Sequence, residues 1–404
     1  MKSYRDDFPN LKRQINGQLL TYLDSAATSF KPKVVIERIH RAYENEVSNV
    51  HRGIHGLSNE ATTNFESARS KVAQFLRAAN PDEIVFTRGT TESINLVAHS
   101  YVAPKIQDGG KSNVVITKLE HHSNIVPWLL LKERAGLEVR FAEIFDEGNL
   151  NLEHLQSLID ENTLLVSVTA TSNTLGINVP VTQVANICKS KNVPLLVDAA
   201  QSTAHAPTDV AKLGVDFLAF SAHKTFGPSG IGVLWGRREL LNSMPPFMGG
   251  GSMISDVNET RATYLDSPHR FEAGTPHIVG ALGLAEALNY IDETGWDEIQ
   301  AHDRDITQYA FERLNQVEGL RILGTHPDRT AIFSFVLDRH HHQDVAMILD
   351  QLGIAVRSGH HCTQPLMKRL GVTGTLRASF ALYNNHEDVD RLIYGLQKAQ
   401  RMLG

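Results

Sequence analysis

Lys224 ends Ser221-Ala222-His223-Lys224, directly after the apolar run Phe217-Leu218-Ala219-Phe220, and Asp198 ends an earlier run, Leu195-Leu196-Val197. Short apolar runs that stop at a polar cluster read as buried strands whose tips carry function. An amine at one tip and a carboxylate at another meet two requirements of pyridoxal phosphate chemistry. The amine forms a Schiff base with the cofactor aldehyde, and the carboxylate pairs with the pyridinium nitrogen so that the ring accepts electrons. Desolvation and a cationic neighbour would lower the lysine pKa, as this chemistry requires. Taken singly, a lysine before the turn-rich Phe226-Gly227-Pro228-Ser229-Gly230 reads as a solvated surface charge. Asp198, ending a strand buried on both faces, needs a cation that a pyridinium supplies; a helix N-cap or structural ion pair is the blander reading.

Other strand ends carry matching chemistry. Gly89-Thr90-Thr91 opens the helical segment Ser93-Ile94-Asn95-Leu96-Val97, so its N–H groups and hydroxyls can face a cofactor phosphate; a threonine N-cap beside a turn glycine is the alternative. His121, before Asn124-Ile125-Val126-Pro127-Trp128, can lie flat on a pyridine ring and handle protons, or can be a hydrogen-bonded loop residue with His122 its exposed neighbour. Thr171-Ser172-Asn173 and Asp198-Ala199-Ala200-Gln201 stand at two more tips, although Gln201 alone could be a surface amide. Five clusters in register along successive strands make a site.

Cys362 lies in Arg357-Ser358-Gly359-His360-His361-Cys362, where positive surroundings favour a thiolate. The alternative, a small buried hydrophobe, fits Cys188 better, on the apolar face of Val184, Ala185 and Ile187. Zinc is the rival use of His360, His361, Cys362 and of His340-His341-His342. Adjacent residues lack ligand spacing and no second cysteine pair completes a set, so no metal site is expected.

The elements that must position these residues are legible as runs. Ile84-Val85-Phe86, Val114-Val115-Ile116, Leu164-Leu165-Val166-Ser167-Val168, Leu195-Leu196-Val197, Phe217-Leu218-Ala219-Phe220 and Ile231-Gly232-Val233-Leu234 alternate with helix-period segments. That alternation predicts an α/β fold, a mostly parallel sheet covered by helices. A helix over 281–290, a break at Thr294-Gly295, an amphipathic stretch over 299–314, a strand over 331–336 and a helix near 345–352 predict a smaller C-terminal α+β domain. The expected division is an N-terminal segment (1–22) packing with the small domain, a large domain (23–290) and a small domain (291–404) carrying the cysteine loop.

The chain has 404 residues, 42% hydrophobic and 21% charged, enough for a large core. A net charge of -6 offers no basic face for nucleic acid, and two cysteines argue against a disulfide framework. The start, Met1-Lys2-Ser3-Tyr4-Arg5-Asp6-Asp7, lacks a signal-peptide apolar stretch and no later segment is apolar enough to span a bilayer, so no membrane role is expected and the cytoplasm is the expected compartment.

Together these residues resemble the group II (SufS/CsdA-type) cysteine desulfurases, within the fold-type I, class V aminotransferase-like pyridoxal phosphate enzymes. The match runs from Tyr22-Leu23-Asp24-Ser25-Ala26-Ala27 nearly to the C-terminus, through Val50-His51-Arg52-Gly53-Ile54-His55, Arg88-Gly89-Thr90-Thr91-Glu92, Glu120-His121-His122, Phe271-Glu272-Ala273-Gly274-Thr275-Pro276, the Cys362 loop and Leu376-Arg377-Ala378-Ser379. The resemblance implies a seven-stranded sheet in the large domain, with Lys224 as internal aldimine, His121 stacked on the ring, Asp198 at its nitrogen and Gln201 at its phenolic oxygen. It gives Thr90, Thr91, Ser221 and His223 to the phosphate, with Thr275 reaching in from the other subunit of a homodimer. Asn173, Arg377, Arg357 and His55 would bind substrate, and Cys362 would take the sulfur of L-cysteine. It further implies a SufU- or SufE-like acceptor and iron–sulfur cluster assembly. This sequence departs at Ala199, at Ala222, at Thr225-Phe226 and at Thr169, where many members carry histidine. The rival readings are a selenocysteine lyase or another enzyme of the same fold such as an aminotransferase, and, in a different class, a non-catalytic sulfur acceptor or assembly scaffold that has kept the fold.

Overall fold

A computed structural model describes residues 4–106 and 112–404. Residues 1–3, part of the N-terminal reading, lie outside the described residues. After helices α1 (Lys33–Asn45) and α2 (Gly56–Leu76), a sheet is built from β1 (Ile84–Thr87), β2 (Asn113–Thr117), β3 (Glu138–Ala142), β4 (Thr163–Thr169), β5 (Leu195–Asp198), β6 (Phe217–Ser221) and β7 (Gly232–Gly236). Their spatial order is β1-β7-β6-β5-β4-β2-β3. The pairings β6 to β5, β5 to β4, β4 to β2 and β2 to β3 are parallel, and only β7, between β1 and β6, runs against its neighbours.

Strands β2, β5, β6 and β7 are buried throughout because helices cover both faces, so they read as unbroken apolar runs. The sequence runs account for six of the seven strands. The seventh, β3, is an edge strand whose Glu138-Val139-Arg140-Phe141 is mostly half-exposed, and it therefore lacks the apolar signature. Helices α3 (Thr90–Val97), α4 (Val126–Ala135), α5 (Leu152–Ser157) and α6 (Val181–Ser190) link successive strands and return the chain, so that the tips of β2, β4, β5 and β6 open toward one side.

Helices α7 (Ile278–Thr294) and α8 (Trp296–Asn315) are separated by Gly295, whose φ of +85° few side-chain-bearing residues adopt. Beyond them β8 (Leu320–Leu323), β9 (Ile332–Leu337), β10 (Arg357–Gly359) and β11 (Thr375–Ser379) form an antiparallel sheet ordered β8-β9-β11-β10. Of these only β9 was visible as an apolar run. Helix α8, α9 (His342–Gln351) and α10 (His386–Leu403) cover it, and Phe333, Phe335, Leu376, Leu392 and Leu396 form its core. Burying each such side chain stabilises by about 1.5–3 kcal/mol. The N-terminal chain joins this unit: Thr21–Tyr22 pairs in parallel with Ile354–Ala355, and Arg5 binds Asp388 at 2.6 Å in the capping box of α10. Among the described residues no helix is long and apolar enough to cross a membrane.

Candidate active site

The tips of β1, β2, β4, β5 and β6 and the loop after β10 enclose one polar cavity of about 240 Å³. Thr90, Thr91, His121, Asn173, Asp198, Gln201, Ser221, His223, Lys224, Arg357, Cys362 and Arg377 all line it. His55 and Thr275 do not: His55 caps α2, accepting from the Ser58 N–H at 3.2 Å, and Thr275 is exposed elsewhere.

Lys224 follows β6 in a short turn, and its amine is lowered from 10.5 to about 8. Burial is the main cause; Arg377 and Arg357 add to it, while Asp198 and Cys362 oppose it. The two arginines are thus the cationic neighbours, brought in from the C-terminal sheet and not from the adjacent His223. His223 is itself pushed down to about 4 by burial and by Lys224 and Lys31, so it is neutral and can offer an N–H.

Asp198 is 4% exposed and forms no ion pair among the described residues; its Oδ1 accepts from the Ala200 N–H at 2.9 Å. Burial raises its pKa against that bond and against the charge of Lys224. A carboxylate so placed fits a cation arriving with a ligand. Gln201 is buried, with its Nε2 donating to the Ala26 carbonyl at 2.8 Å.

The N-cap of α3 is Gly89, which has no side chain to cap the helix with. The Ser221 Oγ accepts from the Thr90 N–H and meets Thr90 Oγ1, both at 2.8 Å. This approach needs two glycines, because a Cβ on Gly232 would lie 2.5 Å from Gly89 Cα. Thr91 Oγ1 meets Ser123 Oγ at 2.7 Å, and Ser123 Oγ also meets His121 Nδ1 at 3.1 Å. Hydroxyls around a helix start whose N-cap is a glycine fit a phosphate. Ser123 lies beside the assigned His121 and was passed over because a serine in a loop carries no signal of its own.

His121 is pushed down to about 3, by burial first and by Lys224 next, so the ring is neutral. Beneath it Glu120 is fully buried, accepting from Thr117 Oγ1 (2.6 Å), Asn124 Nδ2 (2.7 Å) and the Thr169 N–H (3.0 Å). Burial, aided by the charge of Asp198, outweighs these donors and pushes its carboxyl up to about 8.

Cys362 is brought in by strained backbone: His361 and Cys362 have φ of 52° and 59°. Such residues cost on the order of 1–3 kcal/mol each and persist where their surroundings hold them. Here the His122 N–H donates to the Cys362 carbonyl and Asn173 Nδ2 to the His361 carbonyl, both at 2.8 Å. Arg377 is buried, with NH1 on the Asn173 carbonyl (2.8 Å), NH2 on Asp24 (2.9 Å) and, among the described residues, no partner for Nε. Arg357 lines the same wall, and among the described residues its guanidinium has no hydrogen-bond or ion-pair partner. Asp24 belongs to the quoted Tyr22-to-Ala27 stretch, but its pairing across 353 positions had no local signal. Cys188, in contrast, is 2% exposed and burial pushes its thiol up to about 12.

The donor set fits a phosphorylated pyridine aldehyde: an amine of depressed basicity, a buried unpaired carboxylate, a neutral imidazole and a hydroxyl-rich helix start. The aminotransferase class-V family model matches residues 21–392. A cysteine desulfurase of Pectobacterium atrosepticum is 49% identical over 401 residues, spanning 99% of this chain and 98% of that protein. The crystal structure of the Escherichia coli cysteine desulfurase CsdA in its S-sulfonic acid form superposes with a TM-score of 0.91 at 37% identity, over 99% of this chain and 98% of that one. The apo structure of the Thermococcus onnurineus cysteine desulfurase gives 0.93 at 39% identity, over 99% of both chains. The chain belongs to the class-V aminotransferase family, among its cysteine desulfurases.

Proposed function

We propose that this chain removes sulfur from L-cysteine, leaving L-alanine and a persulfide on Cys362, as a homodimer that passes the sulfur to a SufU- or SufE-like acceptor for iron–sulfur cluster assembly. The observation that carries the reading is the sharing of one small cavity by Lys224, Asp198 and Cys362. Pyridoxal 5'-phosphate, the cofactor of this family, supplies an electron sink conjugated to the substrate Cα.

Asp198 would hold the ring nitrogen, His121 would cover the ring, Gln201 would meet the phenolic oxygen, and Thr90, Thr91, Ser221 and His223 would hold the phosphate. Arg357 offers the substrate carboxylate an unengaged guanidinium, beside Arg377 and Asn173. Lys224, displaced by the substrate amine, takes the Cα proton, for which an amine with a pKa near 8 is well matched. The Cys362 thiolate then attacks the substrate sulfur. The S–S bond forms as the C–S bond breaks, the C–S electron pair stays with the alanine fragment, and that fragment takes up a proton at Cβ, for which His121 is the nearby relay, and regains its Cα proton from Lys224. Positioned proton transfer of this kind contributes ~10²–10⁴-fold.

The same reading takes 1–22 as a segment attached to the small domain, 23–290 as the cofactor-binding domain and 291–404 as the domain that delivers Cys362. The test is alanine and thiol-bound sulfur formed from L-cysteine, with Cys362→Ala alongside. Amino transfer to a keto acid without persulfide would support an aminotransferase, and normal sulfide release by Cys362→Ala would remove the cysteine from the mechanism.

A further inference from the structure

His55 and Thr275 stand outside the cavity of their own chain, yet one charged cluster, buried at Arg69 and Glu272, holds both segments. Arg69 on α2 is 1% exposed, and the two arms of its guanidinium reach the Glu272 carboxylate at 2.6 and 2.8 Å. Its Nε reaches Glu66 at 2.9 Å, and Glu66 meets His51 Nε2 at 2.8 Å. The His51 ring lies 5.1 Å from that of His269. Glu272 also accepts from the Phe86 N–H at 2.7 Å, in the strand that runs into Gly89-Thr90-Thr91. One guanidinium is therefore the common reference for 51–55, for 272–275 and for the strand leading to the phosphate cradle.

The two outlying segments face outward. Ile54 is 98% exposed, Leu57 44% and Met248, which borders the same hollow as Thr275, 40%. Exposed apolar side chains beside segments anchored from below are what a second copy of this chain would cover. A bidentate carboxylate pair fixes both the direction and the distance of what it holds, which a lysine ammonium does not.

We propose that Arg69 is a positioning residue which, through Glu272 and Glu66, holds 51–55 and 273–275 in the pose in which they complete the active site of a second copy of this chain. The proposal rests on the homodimer reading and adds to it the residue that sets the geometry of the donated segments. Displacing such a segment by about 1 Å costs up to ~10²-fold in rate even when the altered residue is far from the chemistry.

Two hybrid dimers, purified through a different tag on each chain, test this. The first pairs a Lys224→Ala chain with an Arg69→Lys chain; the second pairs a Lys224→Ala/Arg69→Lys chain with an unaltered one. Each has a single lysine-bearing site and the same total set of substitutions, so a plain loss of stability moves both alike. If Arg69 serves the partner's site, the first hybrid keeps about half the wild-type turnover per dimer, since its lysine-bearing site faces an intact Arg69, and the second falls on the order of 10–100-fold below it. The opposite ranking, or equal turnover, overturns the proposal. Should Arg69→Lys not fold, Glu272→Gln replaces it, keeping an acceptor for the Phe86 N–H while removing the charge. Light scattering separates the two ideas: a monomeric unaltered chain sinks the homodimer reading itself, whereas a dimer with equal hybrids sinks only the role of Arg69.

Discussion

The rate at which the cofactor-free chain captures pyridoxal phosphate should report the buried state of Lys224. Stripping the cofactor and restoring it across a pH series is the perturbation. The amine has a pKa of about 8 in place of 10.5, chiefly through burial, with Arg377 and Arg357 adding to the effect. At pH 7 a group of pKa near 8 is neutral in roughly one molecule in ten, against roughly one in 3,000 at 10.5, so the reactive pool grows by roughly 300-fold. Stopped-flow absorbance should show capture rising about tenfold per pH unit and levelling near pH 8, whereas the rate of a free alkylamine titrated in parallel goes on rising to about pH 10.5. The sign for stability follows from the same shift. Between about pH 8 and 10.5 the unfolded chain holds a proton that the folded chain has shed, so the cofactor-free protein should become more stable as pH rises through that window. A capture rate still climbing at pH 10 would refute the burial argument, and equal capture by Lys224→Ala would place the reactive amine elsewhere.

Other perturbations reach other parts of the site. Cys362→Ala should keep the colour of the bound cofactor and form no persulfide from cysteine, read by absorbance and by mass spectrometry of the trapped thiol. In the native protein an alkylating reagent should label Cys362 and leave Cys188, which is 2% exposed, until denaturant is added; simultaneous labelling would contradict the burial of Cys188. Glu120→Ala strands three donors and should cost about 2–4 kcal/mol in chemical denaturation, with a smaller loss counting against the network. Gly232→Ala drives a Cβ against Gly89 and should weaken cofactor retention in equilibrium dialysis more than it lowers the thermal midpoint. Because His121 is pushed down to about 3, no limb of the pH–rate profile between pH 5 and 8 should disappear in His121→Gln.

Six apolar runs and the polar clusters at their ends were readable because a buried parallel strand has to be apolar along its whole length, and its tip is where the chain meets the ligand. Nine of the residues expected in the site line one cavity for that reason, and Arg357, Cys362 and Arg377 join them from the C-terminal sheet and its loop. Strand β3 escaped because an edge strand shares its faces with water, and β8, β10 and β11 escaped because they are short and mix polar with apolar residues. Glu120 stands in the family stretch beside His121 with no role assigned to it: nothing in a glutamate's identity says that three donors will close around it.

By itself the sequence determined which residues could do the chemistry and which elements carry them, since amine, carboxylate, imidazole and thiol are properties of single residues and strand periodicity is local. Tertiary structure alone decided what surrounds those groups. Asp24 meets Arg377 across 353 positions, the two arginines of the C-terminal sheet join burial in weakening the base Lys224, and Arg69 clasps Glu272 across 203. Electrostatic and hydrogen-bond energies depend on distance and burial in space, and distant stretches of chain acquire both only when the sheets and helices pack.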